Sequence, residues 1–362
     1  MGTSAGAGRN DVAARAVQGE SHPIQVDPTS KNALRSRTVG TVLRKAASNV
    51  ASKAQQFRWF DMRHCQMPLG LFPALLLLAL PLKAETVFVV PAATHENIVY
   101  GPKERNVLDF WKAHSDKPTP VLLCMHGGGF HAGDKSAYRK EPLVNDCLAH
   151  GISVASMNYR YTTTAPLPAA MYDGLRAVQF LRSKAADWNI DPEKIGTTGI
   201  SAGGNMSVWM ACKDDIASPA STDPVARLSS RLTFAMGRGA QTFNDPKLIK
   251  QYIYQGVPFF MEKVPPEEAT KLQPALVESS AIYLVTKDDP PVYLMYAPHR
   301  KLEDAPYPEG ASPNDYIHGP AFGAVFKKKY DELGLECVFH FHDNPERPGD
   351  ELEFILRHFG MK

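Results

Sequence analysis

The stretch "KIGTTGISAGGNM" (Lys194 to Met206) decides the fold. A short apolar run ends at Ile200, and a helical pattern begins just after it. Gly199, Ser201 and Gly203 fit G-x-S-x-G across the junction. That spacing belongs to a very sharp strand-to-helix turn, in which flanking glycines remove side chains that would collide. The serine hydroxyl then stands exposed at the carboxyl edge of a sheet, over a helix N-terminus that favours developing negative charge. Ser201 is the candidate nucleophile.

Working outward, "VLLCMHGGGFHAGD" (Val121 to Asp134) sets three consecutive glycines directly after an apolar run. Glycine is entropically costly to order and adds nothing to a core. Three in a row mean that something approaches the backbone, or that φ becomes positive. Attack by a serine on an acyl carbon creates an oxyanion, which needs donors already aimed at it. Main-chain N–H groups of a glycine loop, with the N–H that follows the nucleophile, supply such donors.

From Glu85 onward, short apolar runs alternate with helical stretches. "NVLDFW", "PVLLCMH", "ISVASMNYR", "KIGTTGI", "PPVYLMYA" and "ECVFHF" read as strands. "EPLVNDCLAHG", "MYDGLRAVQFLRSKAADWNI", "NMSVWMAC", "GAVFKKKYDELG" and "ELEFILRHF" read as helices. This order predicts an α/β fold with a doubly wound, mostly parallel sheet over residues 85–362. Residues 242–280 break the alternation and read as a small helical lid over the sheet end.

The 362 residues are 44% hydrophobic and 22% charged, with a formal net charge of +2. No basic run is interleaved with aromatics, which argues against nucleic acid as a partner. Residues 1–61 carry nine basic and four acidic residues and no sustained apolar period. They read as a disordered or mis-assigned extension. Residues 62–84 have a basic start at Arg63 and His64, an apolar run from Leu69 to Leu80, and a cleavage-like Leu82-Lys83-Ala84. That layout is a secretory signal peptide with Met62 as the true start, too short for a membrane span of ~20 residues. The expectation is a secreted or periplasmic protein with no stable membrane insertion after cleavage. Cys124, Cys147, Cys212 and Cys337 lie in apolar segments without metal-type spacing and read as buried free thiols. Oligomeric state is not legible.

With "HGGGF" (His126 to Phe130), "NYR" (Asn158 to Arg160), Asp173 in "MYDGLRAVQFL" and "NIDPEKIGTTGISAGG" (Asn189 to Gly204) in view, the chain resembles the α/β-hydrolase esterases and lipases of the hormone-sensitive-lipase-like and bacterial carboxylesterase kind. The resemblance covers roughly Asn97 to Phe359. It implies an α/β-hydrolase fold and oxyanion donors at the amides of Gly128, Gly129 and Ala202. It makes His126 a loop-shaping residue and Asp173 structural, and it implies the chain order Ser…Asp…His. The acid is then Asp304 or Asp315, with Asp315 favoured by counting back from the helix near Pro320. The base is expected just after the last strand, where His342 is assigned; His340 falls within that strand. His318 qualifies only if its loop folds over the site, and His358 is expected to face solvent.

These readings converge on an exported serine esterase. It would cleave carboxylic esters through an acyl-enzyme on Ser201, with no metal or organic cofactor. Its substrate would be a small-molecule or polysaccharide-linked ester, acetyl or feruloyl. The alternatives are a serine peptidase of the same fold, and a degenerate hydrolase that binds without turnover. An imidazole within about 3 Å of Ser201 Oγ separates the enzyme from the binder.

Overall fold

Thr119–Met125 is buried at every position, and its alternate side chains enter different cores. Val121, Leu123 and Met125 pack with Met157, Leu175, Val178, Met206 and Trp209. Leu122 and Cys124 pack with Val154, Phe234, Met236, Phe354 and Ile355. A strand covered on both faces needs an unbroken apolar run rather than an alternating one, as this run provides.

The computed structural model describes residues 89–297, 301–341 and 350–361. Its strands are β1 (His95–Val99), β2 (Val107–Trp111), β3 (Thr119–Met125), β4 (Ser153–Met157), β5 (Ile190–Ile200), β6 (Phe234–Arg238), β7 (Val292–Met295) and β8 (Cys337–His340). They form one eight-stranded sheet in the order β1-β2-β4-β3-β5-β6-β7-β8. β1 and β2 pair antiparallel with their neighbours, and all later pairs are parallel. Strand order reverses on either side of β3, so the loops leaving β3 and β5 flank a topological switch point, where open α/β sheets bind ligands.

The helices are α1 (Pro142–Ala149), α2 (Ala169–Ser183), α3 (Ala185–Trp188), α4 (Ala202–Cys212), α5 (Pro246–Tyr252), α6 (Pro266–Glu278), α7 (Pro313–Tyr316), α8 (Ala321–Glu332) and α9 (Asp350–His358). Every residue of α4 is buried, so the helix behind Ser201 lies wholly inside protein. β1 and β6 are strands the periodicity does not announce. β6 is short and carries Gly237 and Arg238 beside its three apolar residues.

Residues 242–280 hold α5 and α6, as the helical reading expects. This excursion is tied to the long connection after β7. Tyr254 and Tyr307 form a parallel bridge, and the rings of Tyr254 and Tyr316 stack at 4.4 Å and 5°. The four cysteines of the domain are free and buried, as read. His358 does not face solvent as expected: its ring packs 4.3 Å from Phe354 and beside Phe234. The extension, the signal-like segment and Cys65 lie outside the described residues. Among the described residues no helix is long and apolar enough to cross a membrane.

Candidate active site

Ser201 sits between β5 and α4 with φ 55° and ψ −116°. A non-glycine residue there stores about 1–3 kcal/mol of backbone strain, which persists only where its surroundings over-determine it. The Ser201 N–H donates to the Arg238 carbonyl of β6 (2.8 Å), and the Ser201 carbonyl accepts from Asn205 N–H (2.8 Å). The turn is sharp enough that a Cβ at Gly199 would lie 2.2 Å from the Gly203 carbonyl carbon. One at Gly203 would lie 2.1 Å from the Met125 oxygen. Both glycines of the pentapeptide are therefore steric necessities. Gly203→Ala is expected to cost about 3 kcal/mol or more, the upper range for overpacking, because rigid backbone is what must move. Denaturant unfolding of the purified variant reads that cost.

His318 meets the serine. Its Nε2 lies 2.8 Å from Ser201 Oγ. The residue follows α7 in the connection after β7, one loop earlier than the chain order of the resemblance places a base. Three contacts bring it there. Gln241 Nε2 donates to the Ile317 carbonyl immediately before it. Tyr316, two residues upstream, stacks on Tyr254, and its hydroxyl accepts from Phe259 N–H (3.3 Å). Gly239 passes beside the imidazole with φ 59°, a conformation that favours glycine; a Cβ there would only touch the ring, at 3.4 Å.

The glycine loop leaves β3 opposite the turn. A Cβ at Gly127 would be 3.0 Å from the Ile200 oxygen and 3.5 Å from the Ser201 Cβ, so loop and nucleophile are in contact. His126 Nδ1 donates to the Gly127 carbonyl (2.7 Å), and its ring stacks on Tyr159 at 4.3 Å. Burial lowers the pKa of His126. Because a trans peptide points its N–H away from its C=O, tying back the Gly127 carbonyl turns the Gly128 N–H outward. The Gly128 carbonyl is likewise tied back by the amides of His131 (3.1 Å) and Ala132 (3.0 Å), which turns out the Gly129 N–H. Ala202 opens α4, where an N–H has no intrahelical partner.

Beyond the loop the chain is fastened to the sheet. Lys135 Nζ bonds the buried Asp109 carboxylate (2.6 Å), which also pairs with Arg139 (2.8 Å). Asp134 caps the 3-10 helix Lys135–Lys140 and accepts from Ser136 N–H (2.9 Å) and Asn158 Nδ2 (2.8 Å). Burial alone would raise its pKa, but hydrogen bonds from Asn158 and Ser136 outweigh it and bring the carboxyl down to about 2. A folded-state pKa below the unfolded value of about 3.9 gives stability that is present above pH ~4 and lost as pH falls toward 2. Asp134→Asn is expected to flatten that part of the stability–pH curve, read by thermal unfolding from pH 2 to 5.

Several sequence expectations fall elsewhere. His342, assigned as base, lies outside the described residues, and the imidazole on Ser201 is that of His318. His340 ends β8 buried, with its ring 4.8 Å from Tyr293. Asp315 lies on α7, exposed, three residues before His318; Asp304 is exposed in the same connection. Asp173 takes Arg160 in a bidentate pair (2.7–3.0 Å), a structural role as the resemblance implies. One sequence signal for His318 existed: His318-Gly319 is a His-Gly pair, absent from the last loop but present here.

A mostly parallel sheet with a serine on a strained strand–helix turn, an imidazole on its hydroxyl and a glycine loop beside it is the arrangement of an α/β-hydrolase fold, and part of the chain is similar to esterases. Residues 108–234 match the family described as BD-FAE. The chain is 34% identical over 126 residues to Esterase LipQ of Mycobacterium tuberculosis, covering 33% of this chain and 29% of that one. It is 32% identical over 102 residues to Carboxylesterase NlhH of the same organism, covering 28% and 32%. The matches thus span about a third of those relatives' length. A solved structure titled as a truncated carbohydrate esterase from gut microbiota shares the fold, with TM-score 0.56, 21% identity, and 74% of this chain and 96% of that chain covered.

Proposed function

We propose that this protein is a serine esterase that hydrolyses carboxylic esters through an acyl-enzyme on Ser201. The observation that carries the reading is the 2.8 Å contact between His318 Nε2 and Ser201 Oγ on the strained turn. It supports turnover over binding alone. His318 takes the hydroxyl proton as Oγ attacks the acyl carbon, then returns it to the leaving alcohol; water, activated by the same imidazole, releases the acid. The amides of Gly128, Gly129 and Ala202 receive the oxyanion.

Asp315 orients the imidazole in this reading, from α7 three residues before His318, which follows the helix. Its carboxylate is exposed, so water screens its pull on the ring. Asp315→Asn is expected to lower kcat/KM by about tenfold or less, well short of the ~10⁴-fold loss when a buried triad aspartate is replaced. Steady-state kinetics on p-nitrophenyl acetate measures it.

The substrate class proposed is acetyl or feruloyl ester on a polysaccharide, met outside the cytoplasm after export through residues 62–84. The fold shared with a carbohydrate esterase and the signal-like segment support it. The test incubates the full chain with p-nitrophenyl acetate and with acetylated xylo-oligosaccharides. Acetate release from both supports the whole reading, release from the first alone supports the esterase without the glycan, and release from neither overturns it.

A further inference from the structure

Three consecutive residues of the glycine loop have positive φ: Gly128 (114°), Gly129 (59°) and Phe130 (63°). Two glycines in that run have almost no intrinsic preference for the conformation they need, so neighbouring groups must hold it. Phe130 is held by its buried ring, edge-on to Tyr159 at 6.1 Å, and by its carbonyl, which accepts from Thr162 N–H at 2.8 Å. Gly129 has no side chain to hold. Both of its flanking peptides are bonded by His131, the first of them together with the Ala132 N–H (3.0 Å).

The backbone N–H of His131 donates to the Gly128 carbonyl, on the peptide before Gly129 (3.1 Å). Its imidazole Nδ1 lies 3.0 Å from the Gly129 carbonyl, on the peptide after it. A carbonyl only accepts, so Nδ1 carries the proton. The ring rests against Gly129 closely enough that a Cβ there would be 2.9 Å from His131 Cε1. Position 129 is thus bare on one side for the oxyanion and on the other for this imidazole.

We infer that His131 is a positioning residue for the oxyanion hole: its imidazole latches the Gly129 carbonyl, fixing the peptide after Gly129, and so holds the bend in which the Gly129 amide, on the peptide before it, is aimed at the developing charge. The inference rests on the Ser201 esterase reading. Donors of this kind act in the transition state and leave ground-state binding nearly unchanged, so their misplacement lowers kcat rather than raising KM. One exposed neutral hydrogen bond corresponds to about three- to tenfold in kcat.

The experiment compares wild type, His131→Ala and His131→Asn on p-nitrophenyl acetate, with affinity for a boronic acid transition-state analogue measured beside it. His131→Ala is expected to lose about three- to tenfold in kcat and in analogue affinity, with KM little changed. His131→Asn, whose Nδ2 can donate from a similar place, is expected to recover most of it. Unchanged kcat in His131→Ala, or an Asn variant no better than Ala, overturns the inference. Nitrogen-15 NMR of labelled histidine gives a readout independent of turnover: neutral His131 is expected as the Nδ1–H tautomer, and an Nε2–H tautomer overturns the latch. A wild type without turnover would contradict the esterase reading, while the tautomer would still decide the role of His131.

Discussion

Replacing Ser201 with alanine is expected to lower kcat on p-nitrophenyl acetate by about 10⁴-fold or more, the order seen when a serine nucleophile is removed from an intact site. The structure gives the reason for so large an effect. The side chain is held on a backbone strained to φ 55°, with its N–H and carbonyl both taken by Arg238 and Asn205. The variant should fold, because alanine preserves the Cβ and loses one hydroxyl, so a normal unfolding curve beside absent turnover isolates the chemistry. If the glycine loop is the oxyanion hole proposed above, residual hydrolysis is expected to exceed that in water, since the loop remains.

Replacing His318 with alanine is expected to cost nearly as much, again about 10⁴-fold or more, because nucleophile and base act as one unit and their losses do not add. An un-ionised hydroxyl is a weak nucleophile at neutral pH, and the imidazole at 2.8 Å is the group placed to take its proton. His150→Ala, exposed at the C-terminal end of α1, serves as the comparison and is expected to stay within about threefold of wild type, within the small range typical of substitutions away from a site. The double variant Ser201→Ala/His318→Ala should be no worse than either single one. Kinetics with matched protein concentrations, checked by circular dichroism, reads all four.

How much of this was legible in the sequence depends on the range of the interactions involved. The strand–turn–helix around Ser201 and the loop at Gly127 to Gly129 are set by contacts of a few residues and by backbone clashes, such as Gly203 against Met125. Such constraints leave glycines at fixed spacing, and the pattern can be read. β3 is visible because burial on both faces demands a continuous apolar run, and β4 because its small and apolar residues lie between clear helical stretches. β6 is not, since five residues with a glycine and an arginine carry little period.

The histidine on Ser201 was not legible for a different reason. His318 reaches Ser201 because residues 301–317 fold back and fasten to the excursion at Tyr254 and Phe259 and to Gln241. Those contacts are long-range and leave no periodicity. Chain order alone pointed past them to His342. The His318-Gly319 pair was the one local sign, and it lay in a loop where an acid was expected.

Whether Ser201 and His318 form a working nucleophile–base pair is decided by mass spectrometry of the full chain after reaction with a fluorophosphonate, which bonds covalently to an activated serine as fluoride leaves. A working pair gives a single adduct on the peptide carrying Ser201 in the wild type, none in Ser201→Ala, and labelling slowed by orders of magnitude in His318→Ala. An adduct on another residue, or labelling of Ser201 at the same rate without His318, rules the pair out.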